Sequence, residues 1–69
     1  MRDWLRKLRV EKKLSEMDVA RDAGISQPFY HTIETGQRSP SIRTAKAIAT
    51  VFGFDWTRFF ENTFEERVS

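Results

Sequence analysis

Cysteine is absent from the 69 residues, and histidine occurs once. Disulfides and thiolate metal sites are therefore excluded as sources of stability, and His31 alone cannot build a zinc cluster. No apolar run approaches the roughly 18 residues that suggest a membrane span. The basic opening segment, residues 2–13, lacks the apolar stretch and small-residue cleavage site of a secretory signal. A cytoplasmic protein with no membrane partner and no cofactor is the expectation. Strand-like alternation is missing too, as are a nucleophile–base set, a paired metal motif and a phosphate-cradling glycine loop. An enzyme is the poorest fit to such a chain.

What is present fits one small all-helical domain spanning residues 1–69, without repeats, long linkers or low-complexity segments. A chain of this length buries roughly 60% of its unfolded surface. Six Phe and two Trp are available for the core. The net charge of +2 is unevenly placed: residues 1–52 hold 10 Lys or Arg against 6 Asp or Glu, and residues 53–69 hold 2 against 4. The basic section suits phosphate contacts, and the acidic tail faces elsewhere.

Apolar spacing predicts a first helix over about Arg2–Lys13, with Trp4, Leu5 and Leu8 on one stripe. Ser15 is a good N-cap for a second helix from Glu16, and Asp18 stands where its carboxylate can reach back to the cap. Val19, Ala20 and Ala23 form the inward side. Gly24 suits a left-handed turn. Ser26 caps a third helix whose first turn tolerates Pro28. Phe29, Tyr30 and Ile33 face inward there, while Gln27, Pro28, His31 and Thr32 share an outer edge. Gly36 stops it. Ser41 caps a fourth helix through about Phe52, with Ile42, Ala45, Ile48, Ala49 and Phe52 as its stripe. Gly53 ends that helix, and Asp55 caps a short final one carrying Trp56, Phe59 and Phe60. After Asn62 the charge density rises and the pattern weakens, which predicts fraying over residues 62–69. Residues 15–35 thus read as two short helices about a tight turn, a pair suited to placing an edge in a DNA groove.

Leu8-Arg9, Leu14-Ser15, Val19-Ala20, Gly24-Ile25-Ser26, Ile33-Glu34, Gly36, Arg38, Pro40-Ser41 and Ile48-Ala49 stand in a specific order and spacing. On these residues the chain, from about Leu5 to Phe60, resembles the lambda-repressor-like, Cro/C1-type helix-turn-helix domains of the XRE family. The resemblance implies five helices, with the second and third as the DNA-reading unit. It implies base-facing positions at Gln27, Pro28 and Thr32, with His31 beside them, and an internal pair of Arg9 and Glu34. It also implies phosphate contacts from the helix starts at Ser15, Glu16 and Ser41 and from the loop carrying Gln37 and Arg38. The chain departs from the pattern at Glu16, where the family often has glutamine, at Pro28, at Tyr30, and at Lys13, where glycine is frequent.

The leading expectation is a non-catalytic regulator, a repressor, that binds a pseudo-palindromic double-stranded operator as a homodimer. Gln27 suits a bidentate pair with adenine; the alternative is a solvated first-turn residue. Thr32 reads a base or phosphate, or bonds its own backbone. Pro28 meets a thymine methyl, or simply starts its helix. His31 is a groove-edge candidate or a plain surface residue. Glu16 repels phosphate unless it turns away or pairs with a base-edge donor. Arg38, Arg43 and Lys46 are candidate phosphate contacts or a solvated face. Trp56, Phe59, Phe60 and Phe64 are core or a dimer seam. The competing class is an interaction module of the same fold, such as an antitoxin whose aromatic C-terminal region takes a toxin or another protein regulator. An adaptor without DNA binding is the remaining alternative, supported by Glu16 and Pro28.

Overall fold

A computed structural model describes residues 1–61 and builds them into four α-helices and a closing 3₁₀ helix. The helices are α1 (Asp3–Glu11), α2 (Glu16–Ala23), α3 (Gln27–Thr35) and α4 (Ile42–Phe52), followed by the 3₁₀ helix Trp56–Phe60. The tail expected to fray and Phe64 lie outside the described residues.

The starts of the helices follow local side-chain chemistry. The Ser15 hydroxyl accepts the Asp18 amide proton at 3.0 Å, and the Asp18 carboxylate accepts the Ser15 amide proton at 2.9 Å. This reciprocal box satisfies two amides that α2 cannot pair internally. The same backbone hydrogen bond from Ser15, followed by its hydroxyl, holds the Asp18 carboxyl below the usual range. Ser26 and Ser41 cap α3 and α4 by accepting from Phe29 and Thr44 at 3.2 Å each.

The first helix is shorter than the expected span of about Arg2–Lys13. Lys13 takes a left-handed backbone, φ 57°, and two backbone bonds close the end: Lys13 N–H to Val10 C=O at 3.0 Å and Leu14 N–H to Arg9 C=O at 3.1 Å. Gly24 has φ 74° and ends α2, with the Ile25 N–H reaching the Ala20 carbonyl at 2.9 Å. A left-handed backbone costs an L-residue about 1–2 kcal/mol and glycine almost nothing. The greater unfolded freedom of glycine takes back part of that difference. Lys13→Gly is therefore expected to stabilise the fold by roughly 0.5–1 kcal/mol. A thermal melt should show a midpoint higher by about 2–8 °C.

The final element is also tighter than expected. Asp55 accepts from the Thr57 amide at 3.0 Å and the Thr57 hydroxyl at 2.7 Å, and the Arg58 N–H returns to the Asp55 carbonyl at 3.0 Å. That i→i+3 bond winds the segment as 3₁₀ rather than α.

The core gathers Leu5, Val19, Ala20, Tyr30, Ile33, Ala45, Ile48, Phe52 and Phe59 from every element. Each large side chain here contributes about 1.5–3 kcal/mol on burial. α2 packs against both α3 and α4, and its buried Ala20 leaves room for close approach. Ile42 does not continue the α4 stripe inward: it is 56% exposed. Trp4 lies against Phe54 and Phe59 with ring centroids 5.2 Å from each, and the Arg58 guanidinium covers its other side at 4.4 Å. This aromatic group ties α1 to the end of the described chain.

Candidate nucleic-acid interface

Both ends of α3 are held by groups outside it. At its start, Ser26 supplies the cap, and Pro28 lacks the amide proton that would need a partner. At its end, the Arg2 amide donates to the Glu34 carbonyl at 2.8 Å. The Arg2 guanidinium donates to the Ile33 carbonyl and, at 3.1 Å, to the Arg38 carbonyl. The same guanidinium lies 5.6 Å from the Phe59 ring centroid. Arg2 thus clamps the last turn of α3 and the following loop to the core. Sequence reasoning assigned Arg2 no such role, because its polar partners are backbone carbonyls, which every residue carries.

The last turn of α3 is held as well by the pair that the resemblance implies. Arg9 Nε donates to Glu34 Oε1 at 2.8 Å, and Arg9 Nη1 donates to the Leu14 carbonyl at 3.0 Å. The hydrogen bond with Glu34 raises the Arg9 pKa above its ordinary value, against the opposing effect of burial. Glu34 is buried, and its Oε1 also lies 3.5 Å from the Tyr30 hydroxyl. Burial, followed by the charge of Glu34, pushes the Tyr30 phenol well above its ordinary range. Tyr30, a departure from the family pattern, is fully buried and its hydroxyl meets the carboxylate.

Held this way, α3 presents Gln27, Pro28, His31 and Thr32 along one outer edge; Pro28 and His31 are exposed, and Gln27 and Thr32 are half-buried. The Thr32 hydroxyl donates to the Phe29 carbonyl at 2.6 Å. That local bond uses its proton and leaves its methyl and oxygen lone pairs for other contacts. Pro28, Phe29, Thr32 and Arg38 line a shallow hollow of about 270 Å³, so Arg38 borders this edge. The Arg38 amide also donates to the Thr32 carbonyl at 3.1 Å.

Glu16 is absorbed by the same edge. Its Oε1 accepts from Gln27 Nε2 at 2.8 Å and lies 3.0 Å from His31 Nδ1, with Oε2 at 3.1 Å from that nitrogen. Burial works against the ionised form of Glu16, but the hydrogen bonds outweigh it and hold the carboxyl below its usual range. Glu16 is thus paired with two α3 side chains, and the Ser15 hydroxyl accepts the Asp18 amide proton.

The start of α4 is different in kind. No acidic residue lies in its first turn, which leaves the positive end of its dipole uncompensated. Ser41 gives its hydroxyl proton to Thr44 Oγ1 at 3.1 Å. Arg43, Gln37 and Lys46 are exposed, and the Lys46 ammonium lies 5.2 Å from the Trp56 ring centroid. A ring face uses none of the ammonium's hydrogen-bond donors. Of the expected seam, Trp56 and Phe60 are half-buried with centroids 6.1 Å apart. Phe59 is only 6% exposed and belongs to the core, so it is unavailable to a second chain.

Among the described residues no helix is long and apolar enough to cross a membrane. The family model described as helix-turn-helix matches residues 5–59. An uncharacterized HTH-type transcriptional regulator of Bacillus subtilis (strain 168), YqaF, is 46% identical over 66 residues, 96% of this chain and 87% of that protein. The HTH-type transcriptional regulator DdrOP3 of Deinococcus deserti is 39% identical over 49 residues, 71% of this chain and 38% of that protein. No solved structure gives a significant match. With the pair Arg9–Glu34 in place, two capped helices about Gly24 and a family match over nearly the whole described fold, the chain belongs to the XRE-type helix-turn-helix family.

Proposed function

We propose that this protein is a cytoplasmic transcriptional regulator that binds double-stranded DNA by sequence, with α3 in the major groove. The observation that carries the reading is the outer edge of α3, where exposed Pro28 and His31 stand with half-buried Gln27 and Thr32 and Arg38 borders them. Polar side chains on such an edge meet base edges, and flanking guanidinium groups meet phosphates. Both relatives bear the name HTH-type transcriptional regulator, which supports the same assignment. Repression is the simplest outcome, because an occupied operator obstructs polymerase without further activity. A nine-residue helix reads only a few base pairs, so two protomers on a pseudo-palindromic site supply the remaining specificity. Trp56 and Phe60 are the described residues that suit the seam.

Selection of bound duplexes from a random library, at two salt concentrations, tests the reading. An enriched motif with two related half-sites is expected; uniform recovery of all sequences would refute sequence-specific binding. On the selected operator, Gln27→Ala should cost roughly 1–3 kcal/mol of discrimination at one base position. An unchanged preference profile in a folded variant would remove Gln27 from the reading set.

A further inference from the structure

Glu16 holds two side chains of the α3 edge by hydrogen bonds. An ionised carboxylate only accepts hydrogen bonds. The Gln27 atom 2.8 Å from it is therefore the amide nitrogen. By the same reasoning the His31 Nδ1, 3.0 and 3.1 Å from the two carboxylate oxygens, carries a proton. In a neutral ring the other nitrogen, Nε2, is then a bare acceptor. Among the described residues neither Gln27 Oε1 nor His31 Nε2 has a protein hydrogen-bond partner. Both point away from the carboxylate that fixes the opposite atom.

We propose that Glu16 is a positioning residue that sets the hydrogen-bond polarity of the reading edge, so that the half-site carries adenine opposite Gln27, carries adenine or cytosine opposite His31, and rejects guanine at both. The assignment of bases rests on the DNA-binding reading above. Guanine offers two acceptors, N7 and O6, to the major groove, and these face the amide oxygen and the ring lone pair unfavourably. Adenine offers a donor at N6 and an acceptor at N7. It satisfies the Gln27 oxygen while the second amide proton of Gln27, not used by Glu16, reaches N7. Cytosine N4 and adenine N6 both supply the donor that a bare Nε2 needs. An unrestrained glutamine or histidine rejects guanine less strictly, since either can turn a donor outward.

Duplex selection with the wild type and Glu16→Gln, run at alkaline pH where imidazole rings are neutral, tests this. A glutamine at residue 16 both donates and accepts, so it releases the constraint with little change of shape. The wild type should prefer adenine over guanine opposite Gln27 by roughly 5- to 100-fold. The variant, with its thermal midpoint unchanged, should narrow that preference to a few-fold. Guanine enriched at either wild-type position, or an identical profile for the variant, overturns the proposal. Nitrogen-15 spectra of the free protein give a readout without DNA: Nδ1 protonated and Nε2 bare in the wild-type His31 ring. The reverse tautomer overturns the role of Glu16 alone. Failure of any duplex to be enriched overturns the DNA-binding reading, and the base assignment with it.

Discussion

Arg9→Met is expected to cost about 3–5 kcal/mol, because it leaves the buried Glu34 carboxylate without its counter-charge. Glu34 keeps only 2% of its side-chain surface, and Arg9 Nε is its closest partner at 2.8 Å. The Tyr30 hydroxyl, at 3.5 Å, cannot replace a cation. A domain of this size has a total stability of roughly 3–10 kcal/mol, so a loss of that size consumes about a third of it or more. Urea or thermal unfolding should show a variant with a much lower midpoint than the wild type. The double variant Arg9→Met/Glu34→Leu removes both charges and both desolvation penalties, and should recover most of the loss. A double variant as unstable as the single one would mean that Arg9 acts through packing or through its bond to the Leu14 carbonyl instead. If the pair sets the angle of α3, the recovered double variant still binds the operator less well than the wild type. Equal affinity would confine the pair to stability.

What the sequence conveyed and what it did not divide by the range of the interaction. The Ser15–Asp18 box and the Ser26 and Ser41 caps join residues three apart, so residue order alone exposes them. The end of α1 was visible only through the resemblance, which marks residue 13 as a glycine position; apolar spacing ran the helix on to Lys13. The last element misled in the same way. Trp56, Phe59 and Phe60 are spaced three and four apart, which suits an α-helix, and the Asp55 cap with its i→i+3 return decides for 3₁₀. Ile42 shows the limit of a stripe: it has the right phase, but it sits in the first turn of α4, beyond the reach of the core. The Arg9–Glu34 pair spans 25 residues and came from the resemblance, not from periodicity. For Glu16 the sequence posed the choice between turning away and pairing with a base-edge donor, and it offered neither Gln27 nor His31 as a partner. The packing of α2 on α3 brings both within reach across 11 and 15 residues.

Operator affinity should fall about a thousandfold when salt rises from 50 to 200 mM. The figure follows from three candidate phosphate cations, one beside α3 and two on α4. Arg38 borders the reading edge, and Arg43 and Lys46 stand exposed on α4. Three such contacts on each of two protomers neutralise about six phosphates, and the slope of log affinity against log salt is then about −5. A single protomer on the duplex gives a slope of about −2.7. Arg38→Ala in the dimer removes two contacts and should bring the slope to about −3.6, weakening all sequences alike, since phosphate carries no base identity. Fluorescence anisotropy at several salt concentrations measures the slopes, and sedimentation of the saturated complex counts the chains. Two chains per duplex are expected, with α3 helices meeting successive major grooves about 34–36 Å apart. One chain per duplex, without a cooperative second event on an extended site, would defeat the homodimer. A sequence-selective loss in Arg38→Ala with an unchanged salt slope would instead move Arg38 from phosphate to base, where its place beside Pro28 and Thr32 already brings it close.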